Sequence, residues 1–300
     1  LQQPRHAGRR LYWFGTAAFD APWFEASIAT ARAVAGPRYT PELHVELPLA
    51  QDFEAFGRTT AFRRVCREHS RSLRRSLAPL RSVLDDNDSE PWSEALIQAL
   101  TSADGAADVL RQIGQAADDG TRLDDLLKRA EELGKACKLV SEAMPSNTED
   151  SSSAVGHDKS QAVNLRDLLH DLRTTRDALW PWLYRASGDL LLLTGEAGTG
   201  KTHLLCDVAR ARAAAGLPTI LLMGQRFTST DEPWSQALAQ LDLRQHSVEE
   251  VIGALEAAAQ AARCRALVMI DALNEGLGRE IWRSHLAAFL RPLRESPWIG

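Results

Sequence analysis

The chain has few of the features that mark secreted, metal-binding or membrane proteins. It has only four cysteines in 300 residues, Cys66, Cys137, Cys206 and Cys264, far apart and without a C-x-x-C pair. Neither a disulfide framework nor a zinc site is therefore suggested. None of the eight histidines stands at a metal-ligand spacing. The longest apolar runs are strand-sized and fall short of the roughly 20 residues that a membrane-spanning helix requires. No targeting segment and no internal repeat are visible. No charge predominates: 40 acidic residues against 35 basic ones leave a net charge of -5, so the chain as a whole is not drawn to DNA or anionic lipid. Together these absences predict a cytoplasmic chain with no membrane partner. It begins at Leu1 without a methionine and stops at "SPWIG" after a helix-like segment, which reads as a fragment cut at both ends.

The length predicts about two domains. Residues 1–50 read as irregular: "RRLYWFG" is a short strand-like run, and Pro37, Pro41 and Pro48 stop any long helix. Residues 51–145 read as a helical domain. Phe62, Val65, Cys66, His69, Leu73, Leu77, Leu80 and Leu84 recur at three- and four-residue steps. A second helix reads through Leu126, Leu127, Ala130, Leu133, Cys137, Val140 and Met144, with a capping-box start at Thr121 and Asp124. "PSNTEDSSSAVGHDKS" has almost nothing apolar to bury, which makes 146–160 a flexible linker. Residues 161–300 then alternate. A helix over 162–179, ended by Pro181, leads into a strand before a glycine-rich loop. Helix 201–215, strand 218–223, helices 234–241 and 248–262, strand 266–271 and helix 279–293 follow. This order predicts an α/β unit with a parallel sheet flanked by helices, incomplete at its C-terminus and preceded by the mainly α-helical domain.

The loop is "GEAGTGKT". Gly195, Glu196, Ala197, Gly198, Thr199, Gly200, Lys201 and Thr202 fit the phosphate-loop pattern G-x-x-x-x-G-K-[ST] at every fixed position. A nucleoside triphosphate is densely negative, so its site needs many donors and no bulky side chains. Gly198 and Gly200 let backbone N–H groups converge on the phosphates, and the helix start adds its positive end. Lys201 would reach the β- and γ-phosphates of ATP, and the Thr202 hydroxyl would bind Mg²⁺. His203 reads as a helix-start residue beside the nucleotide. The alternative is a chance match, against which the strand before and the helix after both argue.

The second half of the site is "ALVMIDALNEG". Ligands gather at the carboxyl ends of parallel strands, so Asp271, which ends a hydrophobic strand, is the candidate to hold Mg²⁺. Glu275, four residues on, is the candidate to orient or deprotonate the attacking water. The plainer alternative for Asp271 is a strand-end cap.

"GEAGTGKTHLL", "LLMGQRF" with "PWSQAL", "LVMIDALNEG" and "HLAAFLRPLRESPWIG" resemble bacterial STAND NTPases, signal-transduction ATPases related to the NACHT family and often used in antiphage defence. The upstream "GPRYTPELHVELPLAQDFEAFGRT" is similar to the region before the NTPase in those proteins. The resemblance implies a P-loop NTPase that serves as an ATP·Mg²⁺ switch, with an effector domain before it and a sensor of a foreign protein after it. It also implies homo-oligomerisation on activation. Asn274 stands where the NACHT pattern has an acid, so only Glu275 of that acidic pair remains. The resemblance further implies a sensor-1 strand just after Gly300, followed by lid and winged-helix elements, and so a weakly active or inactive fragment.

Two other readings stay open. "GTGKTHL" is also similar to the loop of AAA+ helicase loaders, but these carry two adjacent acids where this chain has Asp271 and Ala272. A nucleotide-dependent scaffold that never turns over is the other. Eight arginines lie between Arg58 and Arg81. Arg63, Arg64, Arg67, Arg71, Arg74 and Arg75 read as a basic helix face, either paired with acids elsewhere, the favoured reading, or in contact with nucleic-acid phosphates. Trp180 and Trp182, beside Pro181, read as packing residues.

Overall fold

The computed structural model describes residues 19–40, 49–84, 94–115, 131–143, 156–275 and 277–300. In chain order the elements are α1 (Ala21–Ala35), α2 (Leu49–Phe56), α3 (Thr60–Leu84), α4 (Glu94–Gln115), α5 (Glu132–Ala143) and α6 (Gly156–Ser187). Then come α7 (Lys201–Ala214), β1 (Thr219–Met223), α8 (Pro233–Gln240), α9 (Val248–Ala262), β2 (Leu267–Asp271) and α10 (Gly278–Arg294). The described residues are mainly helical, with a small parallel sheet. It forms two compact units: Thr60–Ser187, and the described residues up to Thr59 together with Gly188–Gly300. The division therefore falls at Ser187, beyond the expected linker, and the N-terminal segment joins the α/β unit. No described helix is long and apolar enough to cross a membrane.

In the helical unit, α3 buries Phe62, Cys66, Leu73, Leu77 and Leu80 along one stripe, as their spacing predicts. It packs against α4 and α6, while α5 packs against both of these. Small residues on α4, including Ala99, Ala103 and Ala107, are fully buried and let the neighbouring helices approach. The predicted start of the second helix, with Thr121 and Asp124, lies outside the described residues. So do "RRLYWFG" and most of the 146–160 linker, of which 156–160 already belong to α6.

Pro181 does not end α6, which runs on to Ser187. An interior proline costs about 3 kcal/mol. Leu179, Leu183 and Ala186 are all buried on the two sides of it. Burying one leucine is worth about 1.5–3 kcal/mol, so packing offsets the proline. Trp180 does not pack as expected and is 45% exposed. Trp182 does lie near a core ring, with its centroid 6.4 Å from Phe62.

The arginine run is mostly absorbed by its own surroundings. Arg58 and Arg63 are buried. Arg67 donates to the Gly114 carbonyl at 2.5 Å. Arg74 and Arg81 pair with Asp108 and Asp104 of α4 at 3.1 and 2.5 Å.

In the α/β unit, β1 and β2 pair in parallel from Thr219 opposite Leu267 to Met223 opposite Asp271. Every β1 residue is buried, as expected for a strand covered on both faces. Both α1 and α7 pack on β1. Sequence reading had no place for α1, although Asp20 caps it by accepting from Trp23 N at 2.9 Å and Gly36 follows its last turn. On its other edge, β2 is paired by Trp298–Gly300: Ala266 N donates to Trp298 O and Val268 N to Gly300 O, both at 2.9 Å.

The strand expected before the glycine-rich loop joins no ladder among the described residues. Leu190 and Leu192 are 51% and 68% exposed. A strand needs a partner edge, and β2 is paired with β1 on one edge and, at Ala266–Val268, with Trp298–Gly300 on the other. Leu190–Leu193 instead line a cavity of about 670 Å³, with Leu267–Ile270 also on its wall.

Candidate functional site

The glycine-rich loop gets its shape from two left-handed residues, Gly198 at φ +79° and Gly200 at φ +84°. L-residues are disfavoured there, and Gly200 is also the N-cap of α7. As the cap has no side chain, no side-chain acceptor covers the first N–H groups of α7. That leaves a positive helix end available to an anion. Lys201 curls back over the loop, where Nζ donates to the carbonyls of Gly195 and Glu196 at 2.7 and 2.5 Å. The Thr199 hydroxyl donates to Glu196 O at 2.9 Å and braces the same turn.

Thr202 and Asp271, 69 residues apart in the chain, meet directly: the Thr202 hydroxyl donates to Asp271 Oδ2 at 2.9 Å. The β2 register delivers this contact, because Asp271 is the last paired residue of the strand and α7 starts beside it. Asp271 is 3% exposed. Burial raises its pKa above the ordinary carboxylate value, and the Glu275 charge adds to the rise. The Thr202 bond, the Arg38 charge and the Ala272 N–H oppose it. Ala272, the next residue, is left-handed at φ +57°, a strained conformation for an alanine.

Glu275 lies in the turn after β2, where its N–H bonds to Ala272 O at 3.0 Å. Its carboxylate is held by Arg38, whose Nη1 donates to both oxygens at 2.8 and 2.9 Å. The same guanidinium donates from Nη2 to Gln225 Oε1 at 2.5 Å, just beyond β1. Neither Arg38 nor Gln225 was foreseen from the sequence. Arg38 is 237 residues from Glu275, and no local spacing rule reaches so far.

The residues after Arg38 fasten the segment to α7. Tyr39 OH donates to the buried Asp207 at 2.8 Å. Burial and this bond to an acid raise the Tyr39 pKa. The His203 ring faces Tyr39 at 5.1 Å between centroids and accepts from Thr40 N at 3.4 Å. His203 is thus largely engaged with the segment 39–40.

Of the predicted site residues, Glu196 and Thr199 brace the turn through the bond between them, and all the others line the 670 Å³ cavity, joined there by Arg38. Much of its lining is apolar, and Lys201, Arg38, Asp271 and Glu275 stand among the lining residues. No cluster of three or more His, Cys, Asp or Glu that could hold a metal ion is found among the described residues. The oxygen pair of Thr202 and Asp271 fits Mg²⁺ of the kind that takes one carboxylate and completes its shell with phosphate oxygens and water. The cysteines are buried and free. Burial pushes the thiols of Cys66 and Cys206 up to about 12 and about 11, which leaves them unreactive at neutral pH.

No protein-family model matches the chain, and no curated protein or solved structure does so at a significant level.

Proposed function

We propose that the α/β unit binds ATP with Mg²⁺ and hydrolyses it, as the switch module of a STAND-type signalling ATPase. The observation that carries this reading is the 2.9 Å bond between Thr202 and Asp271. It joins the two residues that motif chemistry assigns to the metal, from segments far apart in the chain. The open start of α7 and the Lys201 ammonium add the positive groups that a triphosphate requires.

On binding, the Lys201 ammonium leaves the Gly195 and Glu196 carbonyls for phosphate oxygens, and the N–H groups of the loop close around them. Thr202 and Asp271 would hold Mg²⁺, which supplies neutralisation of the phosphate charge. In the reaction a water oxygen bonds to the γ-phosphorus as the bond to the β–γ bridging oxygen breaks. Glu275 takes the water's proton, and ADP and phosphate leave.

A second reading has an observation of its own. Arg38 occupies both oxygens of Glu275, so a nucleotide-dependent scaffold that binds without turnover also fits this geometry. Single-turnover phosphate release separates the two. For nucleotide binding itself, a thermal-shift titration of the chain with ATP·Mg²⁺ should stabilise the wild type by RT ln(1 + [L]/Kd) and leave Lys201→Ala unmoved. Equal stabilisation of both proteins would sink the proposal.

A further inference from the structure

We propose that Arg38 is the group by which this site distinguishes a nucleoside triphosphate from a diphosphate, and that its transfer to the terminal phosphate releases Glu275 for catalysis. The inference rests on the nucleotide reading above.

Arg38 ends the short 3₁₀ turn Gly36–Arg38 after α1. Its guanidinium is shared among three segments. Nε donates to Ala35 O at 3.4 Å, Nη2 to Gln225 Oε1 at 2.5 Å, and Nη1 to both oxygens of Glu275. Gln225 is oriented in turn by donating Nε2 to Val34 O at 2.9 Å. These bonds hold the guanidinium among the three segments, while the Arg38 side chain remains 33% exposed and that of Glu275 42% exposed. Both residues line the cavity that Lys201 and Thr202 line.

Charge decides what such a pair does when a ligand enters. The cavity lining holds two cations, Lys201 and Arg38, and two acids, Asp271 and Glu275. A nucleotide brings several negative charges, and each phosphate beyond the second adds about one more. An incoming terminal phosphate repels Glu275 and attracts Arg38. A guanidinium binds carboxylate and phosphate through the same two-pronged geometry, so a phosphate can take the place of the Glu275 carboxylate without moving the arginine's base. A diphosphate lacks that group and leaves the pair closed. While closed, Glu275 has both oxygens committed to Arg38 and is a poor proton acceptor. Once opened by a triphosphate, it is free to take a proton from water. The pair thus makes the base available only when there is a γ-phosphate to cleave.

The competing account is a structural staple: Arg38 merely ties the end of α1 to the turns after β1 and β2. A staple affects all ligands alike.

The test measures affinities for ADP and for slowly hydrolysed ATPγS, each with Mg²⁺, by calorimetry on the full chain. Wild type, Arg38→Ala, Arg38→Lys, Glu275→Gln and the double variant Arg38→Ala with Glu275→Gln are compared. Arg38→Ala should weaken ATPγS binding about 10- to 100-fold, the worth of one charge-assisted contact. Its ADP affinity should change by less than about threefold, within the scatter of a lost remote contact. Arg38→Lys should recover part of the ATPγS loss. Glu275→Gln should tighten ATPγS binding, and by less when Arg38 is absent, since only then has the competitor nothing to compete for. Equal losses for ADP and ATPγS, or no loss for either, overturn the proposal and leave the nucleotide reading intact. If the wild type binds neither nucleotide, that reading fails and this one fails with it.

Discussion

Asp271→Asn should make the nucleotide-free chain more stable while abolishing its response to ATP·Mg²⁺. Asp271 is 3% exposed and accepts a hydrogen bond from the Thr202 hydroxyl at 2.9 Å. Burial, the largest influence, raises its pKa above 3.8. As pH climbs past 3.8 the unfolded chain gives up this proton first. Stability therefore falls until the folded-state carboxyl has ionised as well, and above that pH the cost is constant. Above both pKa values the wild type carries the whole cost, and every tenfold change in proton affinity corresponds to about 1.4 kcal/mol. Asparagine has nearly the same shape, keeps an acceptor for Thr202 and removes the charge. With ligand the order reverses. At a ligand concentration 100-fold above Kd, binding adds about 2.7 kcal/mol, roughly 5–10 °C in Tm for a unit of this size. The asparagine offers no anionic oxygen to the metal, so this increment should vanish. Urea melts at several pH values without nucleotide, and thermal scans with and without ATP·Mg²⁺, read both halves. The stability gap between the two proteins should narrow as pH is lowered towards 3.8. An asparagine variant that is less stable than wild type at neutral pH without nucleotide, or that ATP·Mg²⁺ stabilises as strongly as wild type, refutes the reasoning.

Glu275→Gln should retain or tighten ATP binding but slow single-turnover hydrolysis by about 10²- to 10⁴-fold, the usual contribution of a general base. An unchanged rate means that another group takes the proton. Ala272→Gly should stabilise the chain by about 0.5–1 kcal/mol in urea melts, because the left-handed φ of +57° costs an alanine about 1–2 kcal/mol and glycine's extra unfolded-state freedom returns only part of that. No gain would show that Ala272 is unstrained.

Much of the helical framework was legible in the order of residues because helical periodicity and capping are local. The α3 stripe, α7, α9 and both strands lie within a residue or two of where their patterns put them. The glycine-rich loop was equally legible, since Gly198 and Gly200 must be glycines for reasons of their own φ angles. Asp271 was placed by a further short-range rule, that a strand's last residue faces the ligand end of a parallel sheet. Pro181 and α1 show where local rules give way. A proline's cost of a few kcal/mol is outweighed by the leucine and alanine side chains that α6 buries around it, and α1 is held by packing on β1 and α7, which lie far along the chain. The strand expected over Leu190–Leu193 shows the reverse: a strong local pattern that joins no ladder among the described residues. The Arg38–Glu275 pair belongs wholly to the tertiary structure. An ion pair spanning 237 residues depends on where α1, β1 and β2 come to rest, and no periodicity, cap or turn preference acts over such a distance.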